Sequence, residues 1–301
     1  MRLPSALSKP AAILVLMVLI GGMNGVGVRV IVGELAPLWA ASLRFLFAGA
    51  ILAAVVAMRG IPIPRGASLL GALLYGVFGF GLNYAFGYRA LQDLSAGTAQ
   101  VVTGVVPLLT IGVASLVGQE RLSGAAIVGA AIAAVGIGVV GLDAFSRDAP
   151  ISALLLAVAS ALSIAISPVI LKGTPRVNPV STNAVGMLVG ASGLLVASVL
   201  SDETWSAPTS PGAWLALVFL VLGGSVAVFA LQVMLVRLWP ASSAAYGFLL
   251  LPLATITYGA IVLDEHLTAT VAIGAAIALA GVYLGAFRNR RRPVPDAVPT
   301  V

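Results

Sequence analysis

Apolar residues run along this chain in long blocks, and polar residues gather in short breaks between them. A helix needs about 20 mainly apolar residues to cross a bilayer. Ten blocks have that length, at 11–32, 37–58, 68–89, 96–117, 123–142, 152–171, 180–200, 213–237, 241–263 and 267–287. The breaks carry turn chemistry, as in Arg59-Gly60-Ile61-Pro62, Gly118-Gln119-Glu120-Arg121, Gly173-Thr174-Pro175-Arg176 and the stretch Ser201 to Pro211. None exceeds about a dozen residues, so no soluble catalytic domain fits between the blocks. The first block follows Arg2 and Lys9, as a signal peptide would, but it continues from Ala11 to Val32. That is longer than a signal h-region, and a retained helix is expected. The pattern predicts an all-α integral membrane protein of ten transmembrane helices.

Composition sharpens this. Of 301 residues, 60% are hydrophobic and 9% charged, and the mean hydropathy is +1.11. A soluble domain carries about 25% charged residues. A cytosolic enzyme, a nucleic-acid binder and a disordered chain are thereby excluded. Cysteine is absent and His266 is the single histidine, so no disulfide, thiolate metal site or multi-histidine site is expected. Walker A spacing and HExxH are absent too. The expectation is no cofactor, no metal and no ATPase on this chain.

The charges predict an orientation. With the N-terminus inside, twelve Lys and Arg fall on inner loops and tails, and Arg89 and Arg147 fall outside. This positive-inside excess puts both termini in the cytoplasm of a plasma (inner) membrane. The cluster Arg288 to Arg292 opens a basic tail, 288–301, suited to anionic lipid rather than to nucleic acid.

The chain also repeats. A shift of 145 residues lays 96–141 over 241–286 with 15 identities in 46 ungapped positions, among them Pro107 with Pro252 and Glu120 with Glu265. Upstream a shift of 142 pairs Pro37 with Pro179. Five spans per copy is an odd number, so the second copy enters from the opposite side. Two near-equivalent halves have two near-degenerate packings, the basis of alternating access in secondary transporters. The repeats are expected at 11–142 and 150–287.

Particular residues carry a resemblance. Tyr88-Arg89-Ala90-Leu91, Leu94-Ser95-Ala96, Pro107, Gly118-Gln119-Glu120-Arg121-Leu122-Ser123, Gly129 and Gly136 resemble an EamA repeat. Leu238-Trp239-Pro240-Ala241, Pro252, Asp264-Glu265-His266-Leu267, Gly274 and Gly281 resemble a second one. The resemblance spans about 11 to 287 and implies the drug/metabolite transporter superfamily. It implies ten helices with both ends cytoplasmic, and export of amino acids or other metabolites. The chain departs from the common pattern at Met23-Asn24-Gly25 and at Leu251.

Site candidates follow from polar groups at membrane depth. Arg44 lies about eight residues, or about 12 Å, into its span, too deep to reach water by snorkelling. It can meet a substrate or tie helices together. Arg29 is nearer its span's end and is expected to reach outward, towards Glu34. Gln100, Thr103, Pro107 and Thr110 recur on one helical face, which should turn into the bundle. Pro107 and its repeat mate Pro252 are expected as hinges. Asn83 and Tyr84 are expected to offer hydrogen bonds to substrate, with Tyr88 nearer the interface as a belt aromatic. Ser160, Ser163 and Ser167 form one face, suited to close packing. Gln232, Tyr246 and Tyr258 are cavity candidates from the second repeat. Glu120 and Glu265 lie at span ends and read as structural.

No Asp or Glu lies deep in a span, which favours facilitated export or exchange over proton coupling. Arg44 favours a substrate with a carboxylate. The sequence therefore predicts a secondary exporter of amino acids or similar small metabolites, working around a midplane cavity. Broad efflux of lipophilic or cationic drugs is the alternative. A membrane scaffold and a lipid-modifying enzyme are weaker, since the spans offer no acid–base constellation. Monomer and homodimer both stay open.

Overall fold

The computed structural model describes residues 9–120, 122–146, 149–175, 177–231, 234, 247–266 and 268–287, and the described residues are all-α. Eight helices are long and apolar enough to cross a bilayer, and two shorter apolar helices follow them. These ten helices, numbered below as spans one to ten, are Lys9–Ile31, Pro37–Met58, 67–93, 96–116, Gly124–Ser146, Ile151–Lys172, Pro179–Leu200, Pro211–Leu231, Gly247–Val262 and 269–287. Residues 241–246, expected to open the ninth span, lie outside the described set, as does the basic tail 288–301.

Local chemistry sets the starts. Pro37, Pro179 and Pro211 occupy first-turn positions, where proline's missing N–H is not needed. Ser95, Asn178, Ser210 and Thr268 cap helices through their side-chain oxygens. The helices are apolar all round, and leucines such as Leu116, Leu200 and Leu215 stay exposed, as lipid-facing positions do.

Four of the described spans depart from regular α-helix, the tenth only at its end, where Tyr283–Phe287 is a π segment. The third is helical from Ala67 to Asp93, past the expected end at 89, and contains a π segment, Gly76–Leu82. The eighth carries another, Leu222–Ala227. The 145-residue shift takes Gly76–Leu82 onto 221–227, so the widened turn is itself repeated. The fourth span breaks at Gly104-Val105 and restarts at Val106 with Pro107 in its first turn. Pro252 behaves differently and lies within the continuous helix Gly247–Val262.

Packing follows the duplication. The second and seventh spans pair, and so do the fifth and tenth. The first span packs on the eighth and ninth, and its repeat mate, the sixth, packs on the third and fourth. The glycine and alanine faces at 129–136 and 274–281 meet. A Cβ at Gly136 would come within 2.4 Å of Ala278 N, so only glycine permits this approach. Successive spans alternate in direction. Loops 32–36, 94–95, 201–210 and 263–268 therefore share one face, here the distal face. The described loop residues after the second, fourth and sixth spans share the opposite, terminal face.

Candidate functional site

A cavity of about 280 Å³ lies between the group of spans one, eight and nine and the group of spans three, four and six. Five of the residues expected to meet substrate come together on its wall: Arg44, Asn83, Tyr84, Gln100 and Thr103. Asn24, Tyr88 and Ser160 join them. The wall is otherwise apolar and includes Met17, Ile164 and Leu251.

Arg44 is 1% exposed. Its Nε donates to Ser225 Oγ at 2.9 Å, one Nη to Asn24 Oδ1 at 3.1 Å and to the Gly224 carbonyl at 3.0 Å, and the other Nη to Tyr88 Oη at 3.4 Å. Every partner is neutral. Four of the five guanidinium hydrogens are thereby engaged. The group also lies over the rings of Phe45, at 4.9 Å, and Tyr84, at 5.1 Å. Among the described residues no carboxylate reaches it.

The π segment supplies much of this shell. A widened turn leaves backbone carbonyls off the regular ladder. Ser225 Oγ donates back to Leu220 O, five residues earlier, and so turns a lone pair to Arg44. Gly224 O accepts from both Arg44 and Asn24 Nδ2. At the repeat-related crossing the partners are apolar. Gly186, the mate of Arg44, lies against Tyr75 and Phe80, and Gly190 lies against Phe80 and Gly81. The backbone is duplicated and the cation is not.

The other polar groups divide into engaged and free. Asn83 Nδ2 donates to Gly79 O, and Asn83 Oδ1 accepts from Ser160 Oγ at 2.7 Å. Thr103 Oγ1 donates to Ala99 O. The Gln100 amide and the Tyr84 hydroxyl make no hydrogen bond among the described residues, although both line the cavity. These are the groups open to a ligand.

Several expectations need correction. Tyr88 is no belt residue: it is 1% exposed, bonded to Arg44 and set edge-on to Tyr84 at 5.9 Å. The longer third span carries it inward. Arg29 does not reach Glu34. It donates to the carbonyls of Leu91 and Gln92 at the end of the third span, where the helix end is partly negative. Glu34 instead accepts from Thr209 N, Thr209 Oγ1 and Ser210 N. Thr110 is not on the cavity wall, because the break at Gly104 separates it from Gln100, and its hydroxyl bonds Val106 O. Tyr258 packs against the main apolar core, away from the cavity wall. Gln232 and Tyr246 lie outside the described residues. Asn24 is the site residue that the sequence does not single out, and its one signal is an isolated amide within the first span.

No Asp, Glu, His, Ser-base pair or metal cluster lines the cavity among the described residues. It is a place to hold a molecule. Both halves match one family model, the EamA-like transporter family, over residues 9–142 and 151–286. The chain belongs to the EamA-like transporter family. It is a multi-pass membrane transporter, not an enzyme. The uncharacterized inner membrane transporter YedA of Escherichia coli (strain K12) is 29% identical over 225 residues, covering 73% of this chain and 72% of that one. An uncharacterized transporter of Archaeoglobus fulgidus is 25% identical over 273 residues, covering 90% and 96%. A solved crystal structure superposes with a TM-score of 0.65 at 21% identity, over 95% of this EamA-family chain and 100% of that one, which shows a shared fold.

Proposed function

We propose that this transporter exports amino acids or similar small organic metabolites that carry a carboxylate, by alternating access around the Arg44 cavity. The observation that carries this reading is the guanidinium itself. A buried cation held only by neutral partners leaves a positive field in the cavity. A carboxylate can take the fifth Nη hydrogen and displace the long bond to Tyr88. The Gln100 amide and Tyr84 hydroxyl then offer directional bonds, and the apolar wall accepts a side group. With no acidic or histidine side chain on the wall among the described residues, facilitated export or exchange fits better than proton coupling. The inward excess of Lys and Arg supports cytoplasmic termini in the inner membrane.

Reconstituted liposomes test it. A panel of amino acids is set against cationic dyes, the substrates of the alternative drug-efflux reading. Saturable flux of the amino acids is expected, and flux of the dyes alone would overturn the proposal. A pH jump that drives amino acids against their gradient would show that protons are coupled after all.

A further inference from the structure

The two faces of the molecule carry related charges in different arrangements. On the distal face Arg29, in the first span, donates to Leu91 O at 2.6 Å and Gln92 O at 2.5 Å. Glu265 accepts from Ala96 N, at the start of the fourth span, at 3.0 Å. Each bond joins the first–eighth–ninth group to the third–fourth–sixth group. Each also fits the dipole of the helix end it meets, a cation on a C-terminus and a carboxylate on an N-terminus. The bonds lie directly above the cavity, since Val28, Leu91 and Ala96 line its wall. Outside them is a crevice of about 530 Å³ that both charged side chains line.

The repeat identifies the mates of these two residues. Glu265 pairs with Glu120 under the 145-residue shift. The same shift pairs Gly224 with Gly79, and these glycines lie against Asn24 and Ser167. The contacting residues are 143 apart (167 − 24), a shift that takes Arg29 to Lys172. On the terminal face Lys172 and Glu120 bond each other at 3.0 Å, with side chains 55% and 43% exposed. The repeat-related mates of the distal partners, residues 236–237 and 241, lie outside the described residues.

We infer that Arg29 and Glu265 form a distal latch that holds the cavity shut on that side, and that Lys172 and Glu120 form its repeat-related counterpart for the terminal face. The inference rests on the alternating-access reading. In the opposite state the roles exchange: Lys172 and Glu120 close the terminal face, and Arg29 and Glu265, released into their shared crevice, face each other there.

The chain contains no cysteine, so one introduced thiol reports alone. Ala99→Cys places it on the cavity wall, and Ala207→Cys and Ile63→Cys mark the distal and terminal faces. A membrane-impermeant maleimide is applied to each side of membrane vesicles, with no substrate present. Glu265→Ala is expected to raise distal labelling of Ala99→Cys by about tenfold, the population shift of one lost charge-assisted hydrogen bond, and Arg29→Ala, which loses two, by at least as much. Arg29→Lys keeps a charged donor and should stay within about twofold of the parent, while Glu265→Gln, which keeps an acceptor without the charge, should fall between the parent and the alanine variant. Lys172→Ala and Glu120→Ala weaken the opposite closed state and should lower distal labelling. Unchanged labelling in both distal alanine variants would overturn the latch, as would a change of one sign in all four alanine variants. Labelling from a single face in every background would instead remove the alternating access on which the latch depends.

Discussion

Arg44 is costly to bury, and its surroundings repay that cost only in part. Four neutral hydrogen bonds and two aromatic faces orient the charge, but no anion among the described residues neutralises it. Arg44→Ala is expected to reduce carboxylate flux by at least about tenfold while flux of an uncharged analogue falls less, the difference being the charge-assisted bond. Arg44→Lys keeps the charge but not the fork that spans Ser225, Asn24 and Gly224, and should fall between. A purely structural Arg44 would lower the melting temperature and both fluxes together. Glu34 shows a second use of charge. Hydrogen bonds from Ser210 first, and from Thr209, lower its pKa from 4.5 to about 2. A lowered carboxyl contributes stability that is present above the unfolded value and is lost as pH falls through the folded one. The stability difference between the parent and Glu34→Gln should therefore be constant above about pH 5, shrink below pH 4.5 and vanish near pH 2 in thermal melts. Arg44, Asn83, Tyr84, Gln100 and Thr103 are legible in the sequence because a polar side chain at membrane depth has few places to go. Tyr88 is not, because an aromatic near a span end serves equally well at the interface. Arg29 points to the wrong partner in the sequence because its true partners are backbone carbonyls, which carry no letter there.

At the scale of elements, hydrophobic run length locates the spans to within a few residues at most of their ends. It does not locate the π segments. A π turn differs from an α turn by one extra residue per bond, which leaves an apolar block looking uniform. Yet that turn aims Gly224 O and Ser225 Oγ at Arg44. Pro107 reads as a hinge in the sequence, and the chain does break beside it, at Gly104-Val105. Pro252 occupies the mated position in an unbroken helix. The difference is local: Gly104 closes its turn onto Gln100 O and Val101 O, whereas the mate of Gly104 is Leu249. The fifth and tenth spans give the simplest test of packing. A Cβ at Gly281 would meet Ala133 N at 2.5 Å and Gly129 O at 2.6 Å. Gly281→Leu is expected to cost about 1–3 kcal/mol, seen as a lower melting temperature in detergent. Transport by the surviving protein should be near normal, because neither span lines the cavity.

The whole molecule is a duplicated frame with an unduplicated centre. Antiparallel pairing of the second with the seventh span holds the axis, helped by Glu203, which bonds Leu38 N and Trp39 N, and by the stacked rings of Trp39 and Trp205 at 4.9 Å. The inverted repeat in the sequence anticipates this frame, since Pro37 and Pro179 start the two paired helices. The asymmetry is legible too, because the mate of Arg44 is Gly186, but its geometry needs the fold to bring the eighth span alongside.

Burying one cation also has an electrical consequence. A monocarboxylate that carries no ammonium group, bound at Arg44, forms a complex of no net charge within the membrane, on which a membrane potential does almost no work, whereas a zwitterionic amino acid leaves the Arg44 charge in place. The unoccupied carrier still bears its charge, and the field acts on that form at about 2.3 kcal/mol per 100 mV for a full crossing. Exchange of one such monocarboxylate for another should then be indifferent to an imposed potassium diffusion potential, while its net efflux, which must return the empty carrier, should respond to it. Flux measured with and without valinomycin separates the two, and equal voltage dependence of both would mean that the substrate does not neutralise Arg44.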